Sequence, residues 1–126
     1  MRLPNAENAL VDIAKLRDYS LNPNHPEGKH KARAFERKVG INRTHAERLR
    51  QAILEAILTH DAIEQTGTPY GRRFIVEFEV STIEGEEGLI SEGILVSKAL
   101  VRTAWIIRND EDFPRLTTCF TPRRSA

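Results

Sequence analysis

Apolar positions recur at a helical period through the first half of the chain and at a period of two through the second. Ala32, Phe35 and Val39 fall on one helical face while Lys31, Arg37 and Lys38 point elsewhere, which predicts a helix over 29–39 that stops at Gly40. Thr44-His45-Ala46-Glu47 has the spacing of a capping box, with Thr44 as N-cap and Glu47 as its reciprocal partner. The helix it opens is predicted to run to about Ile63, with a buried stripe of Leu49, Ile53, Ala56 and Ile57 widened by Leu54 and Leu58. Upstream, Asp12 is placed to cap a short helix over 13–20. Ala9-Leu10-Val11 is either the end of an edge strand or part of that helix.

Asn22-Pro23-Asn24-His25-Pro26-Glu27-Gly28 is too rich in turn residues for a regular element, and Gln65 to Arg72, with Gly67, Pro69 and Gly71, is predicted to be a turn-rich link. Then the period changes. Phe74, Val76, Phe78 and Val80 alternate with Ile75, Glu77 and Glu79, the pattern of a half-buried strand. A glycine-punctuated acidic insert spans Glu84 to Gly93, an extra hairpin or a partner-binding element. Ile94 to Arg108 reads as a long strand or a strand with a bulge, with Arg102, Ala104, Ile106 and Arg108 on one face and Val101, Thr103, Trp105 and Ile107 on the other. Asn109 to Asp112 turns the chain, Arg115 to Phe120 is the last strand, and Pro122-Arg123-Arg124 is a tail. Helices followed by strands joined by short turns predict one α+β domain over 1–126, its N-terminal helices packed on a C-terminal antiparallel sheet of three to four strands.

Composition adds boundaries. The 126 residues are 40% hydrophobic and 29% charged, as in a folded domain. The lone Cys119 cannot form an internal disulfide and has the setting of a small buried apolar residue. No apolar run approaches the roughly 20 residues of a membrane helix, and Met1 to Asn8 lack the features of a signal peptide. A cytoplasmic protein with no membrane partner is expected. The net charge of +1 hides a polarised chain. Lys29, Lys31, Arg33, Arg37, Lys38, Arg43, Arg48 and Arg50 are opposed only by Glu36 and Glu47, whereas Glu77 to Glu92 holds no basic residue. A basic run of that density either binds phosphates or forms a solvated helix face.

No Walker loop, dinucleotide fingerprint, zinc-ligand spacing or nucleophile elbow is present, so no cofactor and no metal are expected. Basic and hydroxyl groups remain. His25 and His30 flank Gly28, and Lys29, His30 and Lys31 begin a helix, where backbone amides and the positive dipole end suit a phosphate. Arg102 and Thr103 precede Trp105; Arg115, Thr117 and Thr118 lie on the final strand. RNA cleaves when its 2′-hydroxyl attacks the adjacent phosphate, which requires one proton to be taken, one given and the phosphorane neutralised. In that chemistry His25 or His30 moves protons, Lys31 and Arg115 hold the phosphate, and Thr103 with Thr117 or Thr118 donates hydroxyls. Lys29, Arg102, Trp105 and Thr118 then bind substrate, with Trp105 stacking on a base. The competing roles are structural: Trp105 in the core, and a histidine fixing its own Pro/Asn loop by a hydrogen bond.

Leu21-Asn22-Pro23-Asn24-His25-Pro26, Gly28-Lys29-His30-Lys31-Ala32, Phe35 to Gly40, Val101-Arg102-Thr103-Ala104-Trp105 and Pro114-Arg115-Leu116-Thr117-Thr118 resemble a small bacterial family of unknown function. Its members occur alone or as C-terminal domains of polymorphic toxins. The resemblance runs from about Lys15 to Phe120, and the acidic insert is longer than it leads one to expect. The standalone form resembles one half of a two-gene toxin–antitoxin-like pair, beside a small β-barrel protein. The layout is similar to the barnase–EndoU–colicin–RelE superfamily of ribonucleases that need no metal. The resemblance implies an endoribonuclease toxin acting on RNA, tRNA or ribosome-bound message among the targets, and neutralised by a small cognate antitoxin. The alternative is a non-catalytic binding module, either an antitoxin or immunity-type protein or an adaptor.

Overall fold

Asp12 begins the first helix as expected: its Oδ1 accepts the amide of Ala14 at 3.0 Å. In the computed structural model, which describes residues 1–81 and 98–122, the single α turn α1 (Ile13–Lys15) passes directly into a π turn (Leu16–Ser20). The wider turn closes through Leu21 N–H to Leu16 O at 2.8 Å and buries Leu16, Ser20 and Leu21. Ser20 Oγ then donates to Cys119 O at 2.9 Å, tying this corner to the far end of the chain.

Helix α2 (Lys29–Val39) has the predicted bounds and buries Ala32, Phe35 and Val39. It ends at Gly40, whose φ of 70° lets its own amide reach Glu36 O and that of Ile41 reach Phe35 O. The next cap differs from the Thr44/Glu47 box. Asn42 is the N-cap, its side chain accepting from Thr44 N–H while His45 Nδ1 accepts from the Asn42 amide. Thr44 donates its hydroxyl to the same Asn42 oxygen at 2.6 Å, and Glu47 turns to Arg50 and Gln51. A 3-10 turn (Arg43–His45) separates this cap from α3 (Ala46–Ala56).

Helix α3 also stops short of Ile63. Leu49, Ile53, Ala56 and Ile57 are buried as predicted, but Leu58 is 51% exposed, because the chain leaves the helical path after Ala56. It enters strand β1 (Ala62–Thr68), which takes in the first half of the predicted link. Strand β1 pairs antiparallel with β2 (Gly71–Ser81), slips register between Gln65 and Thr68, and turns at Pro69-Tyr70. Gly71 is required there. Its φ is 155°, and a Cβ would stand 2.2 Å from Ile107 O.

Strand β2 runs beside β3 (Lys98–Arg108) in unbroken register from Gly71↔Arg108 to Ser81↔Lys98, and β3 pairs with β4 (Arg115–Phe120). The sheet order is β1-β2-β3-β4, all antiparallel. The fold is therefore α+β, the described residues forming three α-helices in the N-terminal half and a four-stranded antiparallel sheet in the C-terminal half. Phe74, Val76, Phe78, Val101, Trp105, Leu116 and Cys119 from the sheet share one core with Phe35, Leu49, Ile53 and Ile57 from the helices. Leu10 settles as an extended residue, bridging in parallel to Arg115 on the edge of β4. The acidic insert Glu84 to Gly93, the start of the predicted third strand at Ile94, and Arg123-Arg124 lie outside the described residues. Among the described residues no helix is long and apolar enough to cross a membrane.

Candidate functional site

Strand β4 decides which side chains meet the helices. Between Ala104↔Thr118 and Trp105↔Leu116 it carries one extra residue, Thr117. Such a bulge reverses the inside–outside alternation beyond it. Leu116 and Cys119 both point inward, and Phe120 emerges on the outer side opposite Arg102.

Two segments converge on Phe120. Lys31, in the first turn of α2, places Nζ 5.8 Å from the ring centre, and Arg102 on β3 places its guanidinium 5.8 Å away. Two cations thus share one aromatic ring. Lys31 Nζ also donates to Tyr19 Oη at 3.1 Å, and Arg102 Nε donates to Glu77 Oε2 at 2.6 Å. Tyr19 stands edge-on to His25, with ring centres 4.8 Å apart. The result is a run of contacts, His25–Tyr19–Lys31–Phe120–Arg102–Glu77, from the proline-rich loop to the middle of the sheet. Beside Tyr19 opens a cleft of about 270 Å³, lined by Asp12, Ala14, Lys15, Tyr19, Thr117 and Thr118. A larger hollow of about 560 Å³ between α3 and the end of β2 is lined by none of these groups.

The turn bearing Tyr19 is strapped by charge. Arg17 makes two hydrogen bonds to Asp18, Arg43 adds a third, and Arg43 Nε reaches Arg17 O at 2.9 Å. The Arg17 hydrogen bond, aided by Arg43 and opposed by partial burial, holds the Asp18 carboxyl below its ordinary range. The basic run Lys29 to Arg50 is thus partly spent on tying elements together. Arg50 donates to Val11 O and Lys38 to Pro122 O.

The residues singled out from sequence divide into two groups. Lys31 and Arg102 meet at Phe120, and Thr118 lines the adjoining cleft. Thr117 lines it too, its hydroxyl donating to Ala104 O at 3.0 Å. Lys29 is half-buried and His30 exposed at the start of α2. Thr103 and Trp105 are corrections. Both are buried on the inner face, where Thr103 Oγ1 donates to Val76 O at 2.7 Å and accepts Trp105 Nε1–H at 2.8 Å. Neither can touch a substrate. Arg115 is a third correction. It pairs with Glu111 through Nε at 2.7 Å and Nη2 at 2.5 Å, and it enters β4 at the end away from Phe120. At about 3.3 Å per residue, that is roughly 16 Å of strand from Phe120.

His25 also changes role. Its Nδ1 accepts the amides of Glu27 at 3.0 Å and Gly28 at 2.9 Å, and its carbonyl accepts that of Lys29 at 3.0 Å. This network assigns the ring proton to Nε2, so His25 offers a donor there and no lone pair. It fixes the loop, and it takes up the amides of Glu27, Gly28 and Lys29 at the approach to the helix. Tyr19, Phe120 and Glu77 are the members that sequence reasoning missed. Among the described residues no group of three or more His, Cys, Asp or Glu is placed to hold a metal ion.

No curated protein and no solved structure matches the chain. Residues 2–123 match the model of a family described as a domain of unknown function, DUF6883, and the chain belongs to that family.

Proposed function

We propose that this chain is the toxin of a toxin–antitoxin-like pair and cleaves RNA as an endoribonuclease that uses no metal. The observation that carries the proposal is the position of Lys31, between the Tyr19 phenol and the Phe120 ring, with Arg102 on that ring as well. A phosphodiester needs cations, and an unstacked base needs an aromatic face. Both occur within one contact run, next to a cleft with two threonines. In this arrangement Lys31 and Arg102 neutralise the phosphate, Phe120 receives a base, and Thr117 and Thr118 contact the sugar–phosphate from the cleft. His25 contributes its Nε2–H as a hydrogen-bond donor. Proton acceptance from the 2′-hydroxyl falls to His30, the exposed histidine on the same helix turn. Lys29 adds charge beside it. The motif blocks that resemble a family with toxin-domain members support the same reading, and under it a cognate antitoxin covers the basic surface.

The test is cleavage of total RNA by the purified chain in excess chelator, alongside growth on induction. The expected result is a product ladder with 2′,3′-cyclic phosphate ends and growth arrest, both abolished by Lys31→Ala. Intact RNA and normal growth with the wild-type chain overturn the proposal. A second reading, a non-catalytic binding module, has its own observation. The outer face of the sheet leaves Ile63 66% exposed beside a groove of about 340 Å³ lined by Ile75, Glu77 and Arg102. An exposed apolar surface of that kind suits a protein partner.

A further inference from the structure

We infer that Tyr19 is the general acid of this site, giving its phenolic proton to the 5′-oxygen that leaves. The inference rests on the ribonuclease reading above and names a group which that reading does not use. It follows from hydrogen-bond direction. A lysine ammonium has donors and no acceptor, so at 3.1 Å Lys31 Nζ must donate and Tyr19 Oη must accept. The phenol's own O–H is then directed away from Lys31, and Tyr19 lines the cleft that also holds Thr117 and Thr118. On its other side the ring is fixed edge-on against His25. The backbone beneath is strapped by Arg43 and tied by Ser20 to β4. The hydroxyl is therefore oriented by a cation, mounted on a restrained turn and adjacent to space that a phosphodiester can enter. With Nδ1 accepting from two backbone amides, loss of the Nε2 proton would leave His25 an imidazolate, so it does not fill this role.

The step balances within the chain and the RNA. The 2′-oxygen forms a bond to phosphorus and loses its proton to His30. The bond from phosphorus to the 5′-oxygen breaks, and that oxygen takes the Tyr19 proton. The phenolate is held by the Lys31 ammonium already bonded to it until solvent returns a proton. The products are a 2′,3′-cyclic phosphate and a 5′-hydroxyl.

The experiment compares wild type with Tyr19→Phe on two RNAs, one ordinary and one with sulfur in place of the bridging 5′-oxygen. A thiolate leaves without being protonated, so a missing general acid is bypassed and a merely misplaced substrate is not. Tyr19→Phe is expected to cut ordinary RNA about 100-fold more slowly. It should keep its melting temperature and its affinity for an uncleavable 2′-deoxy analogue, and it should cut the sulfur substrate at the wild-type rate. Equal slowing on both substrates, or no slowing on ordinary RNA, overturns the assignment while leaving the ribonuclease reading intact. A wild-type chain that cuts neither substrate overturns both.

Discussion

Gly28 lies against the backbone carbonyl of Tyr19, so closely that a Cβ on Gly28 would stand 2.1 Å from that oxygen and 2.8 Å from its carbon. The φ of Gly28 is −82°, which any residue adopts. The requirement for glycine is therefore one of space. The proline-rich loop can press onto the Leu16–Ser20 turn only where it has no side chain, and this contact sets Tyr19 beside Lys31.

Gly28→Ala should push the two backbones apart. Overpacking of this kind costs about 1–3 kcal/mol, read as a lower denaturant midpoint. The functional loss should exceed the stability loss, because the displaced atoms belong to Tyr19 itself. Gly40→Ala is the control. A Cβ there meets nothing within 4 Å, but φ is +70°, so it should lose about 1 kcal/mol and no affinity for RNA.

Thr103→Val should destabilise the chain without touching RNA binding. The substitution keeps the shape but removes both the acceptor of Trp105 Nε1–H and the donor to Val76 O. Leaving buried polar groups unpaired costs about 1–3 kcal/mol. Urea unfolding followed by Trp105 fluorescence measures it. A loss of RNA affinity in the still-folded variant would place Thr103 back in the site.

The contrast between Thr103 and Phe120 shows what was legible in sequence. Period-2 alternation on β3 puts Thr103 and Trp105 together on one face, and that face is the inner one. Position alone does not say whether a threonine serves a core hydrogen bond or a ligand. On β4 the bulge at Thr117 breaks the alternation, so Phe120 reads as a strand residue of unknown side until the register is seen. Strand β1 was illegible for a different reason. Only Ala62 along it is buried, so an edge strand carries no apolar alternation, and Gly67 and Pro69 give it the composition of a turn. Helix α2 was legible because its stripe, its start and its glycine stop all agree. The Thr44/Glu47 box misled because Asn42, two residues upstream, offers the same acceptor geometry together with a histidine partner.

Cys119 should resist thiol reagents while the chain is folded. It is fully buried, and the apolar surroundings push its thiol well above the ordinary range, which removes the reactive thiolate. A chromogenic disulfide reagent should label none of it in native buffer and one equivalent in denaturant. Since Cys119 O also holds Ser20 Oγ, Ser20→Ala should speed labelling by loosening the corner between the Leu16–Ser20 turn and β4. Rapid labelling of the native wild type would place this strand at the surface.

Acid should weaken the fold through four carboxylates. Glu111 is held low first by its hydrogen bond to Arg115, Glu64 by Arg72, Asp18 by Arg17, and Glu47 by Gln51 with Arg50. Each binds a proton less readily folded than unfolded. The unfolded chain therefore takes up more protons as pH falls, and stability is lost in that direction. The contribution is fully present above the unfolded carboxyl range near pH 4 and disappears below it. The denaturation midpoint should be flat from pH 7 to about pH 5 and fall steeply below that. Glu111→Gln should make the acid limb shallower, since the carboxylate hydrogen-bonded to Arg115 is then gone. An acid limb as steep in this variant as in wild type would mean that the Glu111–Arg115 pair contributes nothing to folding, as many exposed ion pairs do.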